Sequence, residues 1–154
     1  MKNNENIESF LKWMSLINTT NQSQKDRSIP SKNITDNWIS CAGKNVTSFN
    51  SNEKTGKWCI FLTEKEVDVA WSKIKKALKQ GKLTLAKVAT KKNAHKFDNT
   101  YVICIYTNNW ADEQELTQTR DVLYELGWIA PLKYKRDIET INNVYGENEF
   151  YLIK

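Results

Sequence analysis

Only one histidine, His95, occurs in the chain, and glycine, proline and cysteine are sparse at five, two and three residues. Each scarcity closes off a kind of chemistry. One imidazole and three scattered cysteines do not form a recognisable zinc site. Ser-His-Asp catalysis has only His95 as its base, with no nucleophile elbow near it. No Gly-x-Gly-x-x-Gly occurs, so dinucleotide binding of the usual kind has no support. Thr55-Gly56-Lys57 lacks the upstream glycine and the following Ser or Thr of a P-loop, and it precedes a strand rather than a helix. No metal or cofactor is expected.

Long apolar runs are missing as well. No stretch approaches the ~18 residues that a membrane-spanning helix needs, and the start, MKNNENIESF, has no apolar segment of signal-peptide length. Cys41, Cys59 and Cys104 are odd in number, and the last two lie inside apolar runs where a thiol behaves as a small hydrophobe. A reducing, cytoplasmic setting without a membrane partner is expected. The Asn-x-Ser/Thr triplets at Asn18, Asn21, Asn33 and Asn45 are then accidents of composition, since glycosylation needs the secretory route. What the chain does have is core material: 40% hydrophobic residues, with six Trp, six Tyr and five Phe. That suffices for one ordinary domain without disulfides or metal.

Hydrophobic periodicity predicts the elements. Ile7, Phe10, Leu11, Met14 and Ile17 recur at helical spacing over 4–17, an N-terminal amphipathic helix within 1–20 that docks on the domain or on a partner. Over 21–55 the composition turns to Asn, Ser, Thr and Lys, broken by Pro30 and Gly43, and reads as a long irregular segment. The α+β domain is expected over 56–154. Lys57–Leu62 is an apolar run of strand length. Thr63-Glu-Lys-Glu is a capping box, and Val67, Ala70, Trp71, Ile74, Ala77 and Leu78 follow on one helical face until Gly81. Strands are predicted over 83–89 and 101–107, with a loop between them. A second helix is predicted over 111–126, with Asp112, Glu113 and Glu115 in its first turn, and final strands over 132–136 and 150–153. This order suits an antiparallel sheet with helices packed on one face. Both phases of 57–62 and 101–107 are apolar or aromatic, so the 18–55 segment is expected to lie across part of the other face.

A net charge of +5 and a pI near 9.0 suggest a polyanionic partner. Nine lysines lie between Lys73 and Lys96, with no Asp or Glu among them, and read as one positive patch. Those on the helix are taken as solvated, and Lys87, inside a strand, as functional. His95 is either a proton donor or anion ligand near neutral pH, or a plain surface residue. Trp58 and Trp71 sit in apolar periodic contexts and are assigned to the core. Trp38 and Trp110 fall in predicted loops, where they either stack on a ligand or cap the sheet.

Six ordered motifs carry a resemblance: Gly56-Lys-Trp-x-Ile-Phe61, Val67-Asp-x-x-Trp71, Gly81-Lys-Leu83, Lys87-Val-x-Thr90, Val102-Ile-Cys-Ile-Tyr-Thr107 and Tyr134-Lys-x-Asp137. Together, over roughly 36–154, they resemble the uncharacterised family that includes basophilic leukaemia-expressed protein. The resemblance implies a translation initiation factor 4E-like fold, a curved, mainly antiparallel sheet backed by helices, and supplies no established activity. In the cap-binding members of that fold, two tryptophans sandwich a methylated base, an acidic residue reads its edge and basic residues hold the phosphates. The resemblance gives Trp38 and Trp110 the sandwich, Asp112 or Glu113 the acidic place, and Lys87, Lys133, Lys135 or Arg136 the phosphates. The loop motifs around the cap binders' tryptophans are not matched, so a phosphate-bearing ligand is the part retained.

The residues leave three readings open. The first is a non-enzymatic module that binds a nucleotide or RNA end through Lys87, Thr90, His95, Lys133, Lys135 and Arg136, with stacking by Trp38 and Trp110. The second is an enzyme on a phosphorylated substrate, with Lys87 as a desolvated base and His95 as an acid, similar in residue types to the bacterial phosphothreonine lyases. The third is a protein-interaction or inhibitor module that uses the N-terminal helix and offers the basic patch to an acidic protein.

Overall fold

The computed structural model describes residues 7–11, 23–146 and 149–154. Six strands form one sheet: β1 (Trp38–Ala42), β2 (Gly56–Leu62), β3 (Leu85–Ala89), β4 (Tyr101–Thr107), β5 (Lys133–Arg136) and β6 (Leu152–Ile153). Their order is β1-β3-β4-β2-β5-β6, with every pairing antiparallel. Besides the helical residues 7–11, the described residues contain α1 (Gln24–Arg27), α2 (Glu64–Lys79), α3 (Lys91–Ala94), α4 (Glu113–Glu125) and α5 (Asp137–Ile141). The expected α+β class with an antiparallel sheet is what the chain adopts.

Strand alternation decides what each face of the sheet carries. Trp58, Ile60 and Leu62 of β2 share one face with Tyr101, Ile103 and Ile105 of β4, Ala86 and Val88 of β3, and Tyr134 of β5. All are buried in one core with the apolar stripe of α2, from Val67 to Leu78, and with Leu116 and Leu123 of α4. The capping box that opens α2 forms as expected, with the Thr63 backbone N–H donating to Glu66 Oε1 at 3.0 Å. Gly81, at φ 75°, supplies the left-handed residue just beyond the helix. At Gly56 a side chain has no room, because its Cβ would run into Tyr134, whose hydroxyl bonds Thr107 Oγ1 at 2.6 Å. Arg120 of α4 ties the end of the fold together by donating to the carbonyls of Trp128, Ala130 and Lys154 at 2.8, 2.8 and 2.9 Å.

The segment 21–55 is not wholly irregular, since it contains α1 and β1. The strand WISCA lies at the sheet edge with β3 as its one neighbour, and its short mixed run gives little periodicity to read. Trp38 is therefore a strand residue rather than a loop residue. The predicted loop after Ala89 folds into α3 and a 3-10 turn at His95–Phe97, because Thr90 caps it by accepting from the Asn93 N–H. Helix α5 was not anticipated, and β3, β5 and β6 are shorter than predicted. Part of the 18–55 segment does cover the second face, where Phe49 packs edge-on against Tyr106 at 5.4 Å. Residues 7–11 are helical within the expected 4–17, whose remaining residues lie outside the described ones. Among the described residues no helix is long and apolar enough to cross a membrane.

Candidate ligand-binding cleft

The side chains between the core positions point away from α2 and α4, and cross-strand register sets them in rows. Ser40, Lys87, Cys104, Cys59 and Lys133 run in sequence across β1, β3, β4, β2 and β5. Beside them run Ala42, Leu85, Tyr106, Lys57 and Lys135. On the other flank, Trp38 opposes Ala89 and Phe61 opposes Val102. Of these, the side chains of Trp38, Lys57, Cys59, Phe61, Lys87, Ala89, Val102, Cys104 and Lys135 floor a cleft of about 540 Å³. Asn93 and Phe97 wall it from the α3 turn, and Tyr145, Glu149 and Phe150 from the segment leading into β6.

Three lysines enter this cleft, and two are neutralised. Lys57 Nζ lies 2.7 Å from Asp137 Oδ1, and Lys135 Nζ lies 2.8 Å from Glu149 Oε1. Lys87 has no carboxylate partner among the described residues; its ammonium lies 3.9 Å from the centre of the Trp38 ring and 5.9 Å from that of Tyr106. Burial pushes its pKa below the ordinary lysine value. A cation withdrawn from water beside rings rather than an anion is incompletely compensated, and a bound anion would relieve it.

Asp137 anchors this arrangement. Burial would raise its pKa, but hydrogen bonds from Lys57, Ser51 and Thr55 outweigh that and hold the carboxyl below 3.8. The unfolded chain then takes up the proton first as pH falls. The contribution of Asp137 is thus fully present above pH 3.8 and is lost as pH drops through the lower folded value. Denaturant unfolding measured along a pH series should show this acid limb in the wild type and a weaker one in Asp137→Asn.

The sequence-selected residues divide. Lys87, Lys135 and Trp38 line the cleft, and Lys133 stands beside it with its ammonium 4.8 Å from the Phe150 ring. Thr90 is buried and spent on structure, its hydroxyl bonding the Asp36 carbonyl while capping α3. His95 is exposed on the turn after α3 and does not line the cleft. Arg136, one residue past Lys135, points to the opposite face, where it pairs with Glu139 and lies 4.5 Å from the Trp110 ring and 4.8 Å from Tyr151. Trp110 is pinned there by donating its Nε1–H to the Glu53 carbonyl at 2.8 Å. Trp38 and Trp110 are therefore not brought together as a sandwich, and Asp112 caps α4 through the Glu115 N–H.

The nine-lysine patch is divided as well. Lys73, Lys75, Lys76 and Lys79 ride on α2, on the far side of the sheet from Lys87. Lys91 pairs with Glu64 at 3.4 Å, Lys92 donates to the Thr35 carbonyl and Lys96 to Asn37 Oδ1. Sequence reasoning missed Lys57, Cys59, Phe61, Cys104, Asp137 and Glu149. The signal for the first three was the odd-numbered phase of 57–61, masked because the even phase is equally apolar. Among the described residues no group of three His, Cys, Asp or Glu side chains is placed to hold a metal ion.

Fold and site together define an α+β protein whose antiparallel sheet is backed by two long helices and carries a basic, aromatic-walled cleft on its other face. The model of the family described as basophilic leukemia-expressed protein Bles03 matches residues 1–141, and the chain belongs to this family. The matched span takes in Trp38, Lys57, Cys59, Lys87, Cys104, Lys135 and Asp137, while Tyr145, Glu149 and Phe150 follow it.

Proposed function

We propose that the protein is a non-enzymatic binding module whose cleft takes a phosphate-bearing ligand with an aromatic base, a nucleotide or an RNA end, on the open face of a translation initiation factor 4E-like sheet. The observation that carries this reading is Lys87, a partly buried ammonium facing the cleft with rings but, among the described residues, no carboxylate beside it. The phosphate sits at Lys87, flanked by Lys57 and Lys135. The cleft's volume of about 540 Å³ lies in the range of ligand pockets, roughly 300–1,000 Å³. Trp38, Phe61 and Phe97 offer ring faces, and a stacked base gains ~1–3 kcal/mol from such a platform. Because Asp137 and Glu149 neutralise Lys57 and Lys135, one positive charge among the described residues is left uncompensated in the cleft. That suits a single phosphate better than a triphosphate.

The Lys87–His95 enzyme reading lacks geometric support, since His95 does not line the cleft that Lys87 enters. Intrinsic tryptophan fluorescence and thermal melting with a panel of nucleoside mono-, di- and triphosphates and short RNAs test the binding reading. The expected result is quenching and a raised melting temperature, strongest for the monophosphates and RNA ends. The affinity should weaken as salt is raised. No response to any member of the panel at millimolar concentration would overturn it.

A further inference from the structure

The floor of the cleft carries two thiols that phosphate binding does not use. Cys59 and Cys104 face each other directly across β2 and β4, both free and both lining the cleft. Directly opposed residues in antiparallel strands have Cα atoms ~4.5–5.5 Å apart, inside the ~4.4–6.8 Å that a disulfide spans. The two strands therefore already hold the pair at bridging separation.

Its surroundings differ from those of an inert core pair. Lys87 is the cross-strand neighbour of Cys104 on the other side, and Lys57 and Lys135 stand in the adjacent row. Lys57 and Lys135 are paired with Asp137 and Glu149, but the Lys87 ammonium meets no carboxylate among the described residues, and a cation beside a thiol favours its thiolate. A hydrogen bond from Cys59 draws Cys104 below the ordinary thiol range, with help from Lys87 and Lys57 against the effect of burial. Cys59, as the donor of that bond, is pushed up. Two thiols held face to face beside a cation are the starting arrangement for dithiol oxidation. Cys59 and Cys104 are 5% and 4% exposed, so only a small reagent reaches them from the cleft. Cys41 is placed differently, on the edge strand β1 with its side chain in the core-facing phase opposite Ala86.

We propose that Cys59 and Cys104 form a redox-modification site in which hydrogen peroxide entering the cleft converts the pair to a cross-strand disulfide. The Cys104 thiolate attacks one peroxide oxygen and the O–O bond breaks, leaving a sulfenic acid and a hydroxide that becomes water with the proton the thiol gave up. Cys59 sulfur then attacks Cys104 sulfur. The S–S bond forms as the S–O bond breaks, and the Cys59 proton leaves with the hydroxyl as a second water. Two thiols lose two hydrogens, and one peroxide becomes two waters.

The test treats the full chain with hydrogen peroxide, then unfolds and alkylates it, with glutathione oxidised in parallel as a reactivity standard. The expected result is an intact mass lower by two hydrogens, with two of the three cysteines protected from alkylation. Tryptic mapping should show the 58–65 and 97–120 peptides linked, with dithiothreitol separating them. In Cys59→Ser the reaction should stop at a Cys104 sulfenic acid that dimedone traps. Full alkylation of both cysteines under peroxide that oxidises the glutathione would overturn the proposal. So would a disulfide that involves Cys41 or joins two chains. The wild-type mapping decides even if the variant fails to fold, and its outcome is independent of nucleotide binding.

Discussion

Lys87→Gln is expected to weaken nucleotide binding by roughly 10- to 100-fold, the equivalent of the ~1.5–3 kcal/mol that one charge-assisted hydrogen bond contributes. The same substitution should leave the fold as stable as the wild type, or more stable. The Lys87 ammonium gains attraction from the Trp38 ring 3.9 Å away, a contact worth ~0.5–2 kcal/mol. Against this stands the desolvation of a charge that meets no carboxylate. Glutamine keeps much of the stem and removes the charge. The pH dependence has a definite sign. Burial depresses the folded pKa of Lys87, so the unfolded chain binds the proton more tightly. This group therefore makes the wild type gain stability as pH rises from the folded toward the unfolded lysine value. Lys87→Gln lacks that rise. Calorimetric titration with a nucleoside monophosphate reads the binding loss, and denaturant midpoints across the alkaline range read the stability. A variant that binds normally, or one that loses binding only because it unfolds, would contradict the role given to Lys87.

Trp58→Ala should cost ~3–5 kcal/mol of stability, the usual toll of emptying a large aromatic site in a packed core. Trp58 is 1% exposed and meets Tyr134 edge-on at 5.1 Å, with the Arg120 guanidinium 6.0 Å from its ring centre. Both neighbours do structural work, Tyr134 by bonding Thr107 and Arg120 by holding three carbonyls. Against a typical total of ~5–15 kcal/mol, such a loss leaves a marginal fold. Trp58→Phe should be milder than ring size alone suggests. The Trp58 Nε1–H has no hydrogen-bond partner among the described residues, so its removal relieves an unsatisfied buried donor. Urea unfolding of the two variants beside the wild type checks both the size and the order. Because Lys57 and Cys59 flank Trp58 on the opposite face of the same strand, the alanine variant should also loosen the cleft.

How much of this was legible in the sequence differs between fold and site. The core was readable because its signals are local: the capping box at Thr63, the helical stripe from Val67 to Leu78, and the apolar runs of β2 and β4. Strand β1 was not, because an edge strand with one neighbour needs little apolar periodicity, and WISCA shows little. The cleft was harder still. Lys87 stood out as a charge inside a strand, and Lys135 entered through the resemblance. Nothing in the sequence separated Lys135 from Arg136, since strand parity assigns them to opposite faces only once the register is known. Thr90 and His95 were drawn in by proximity to Lys87 along the chain, which α3 and the turn after it redirect. The cross-strand partnership of Cys59 and Cys104 is a long-range pairing that neither local sequence contains.

Where a ligand sits is the central question, and a heteronuclear NMR titration of the full chain with a nucleoside monophosphate answers it most directly. Binding in the cleft predicts shifts concentrated on the Trp38 indole and the backbones of Lys57, Lys87, Cys104 and Lys135, absent in Lys87→Gln. Shifts confined to the α2 lysines Lys73, Lys76 and Lys79, or none at saturating nucleotide, would contradict it.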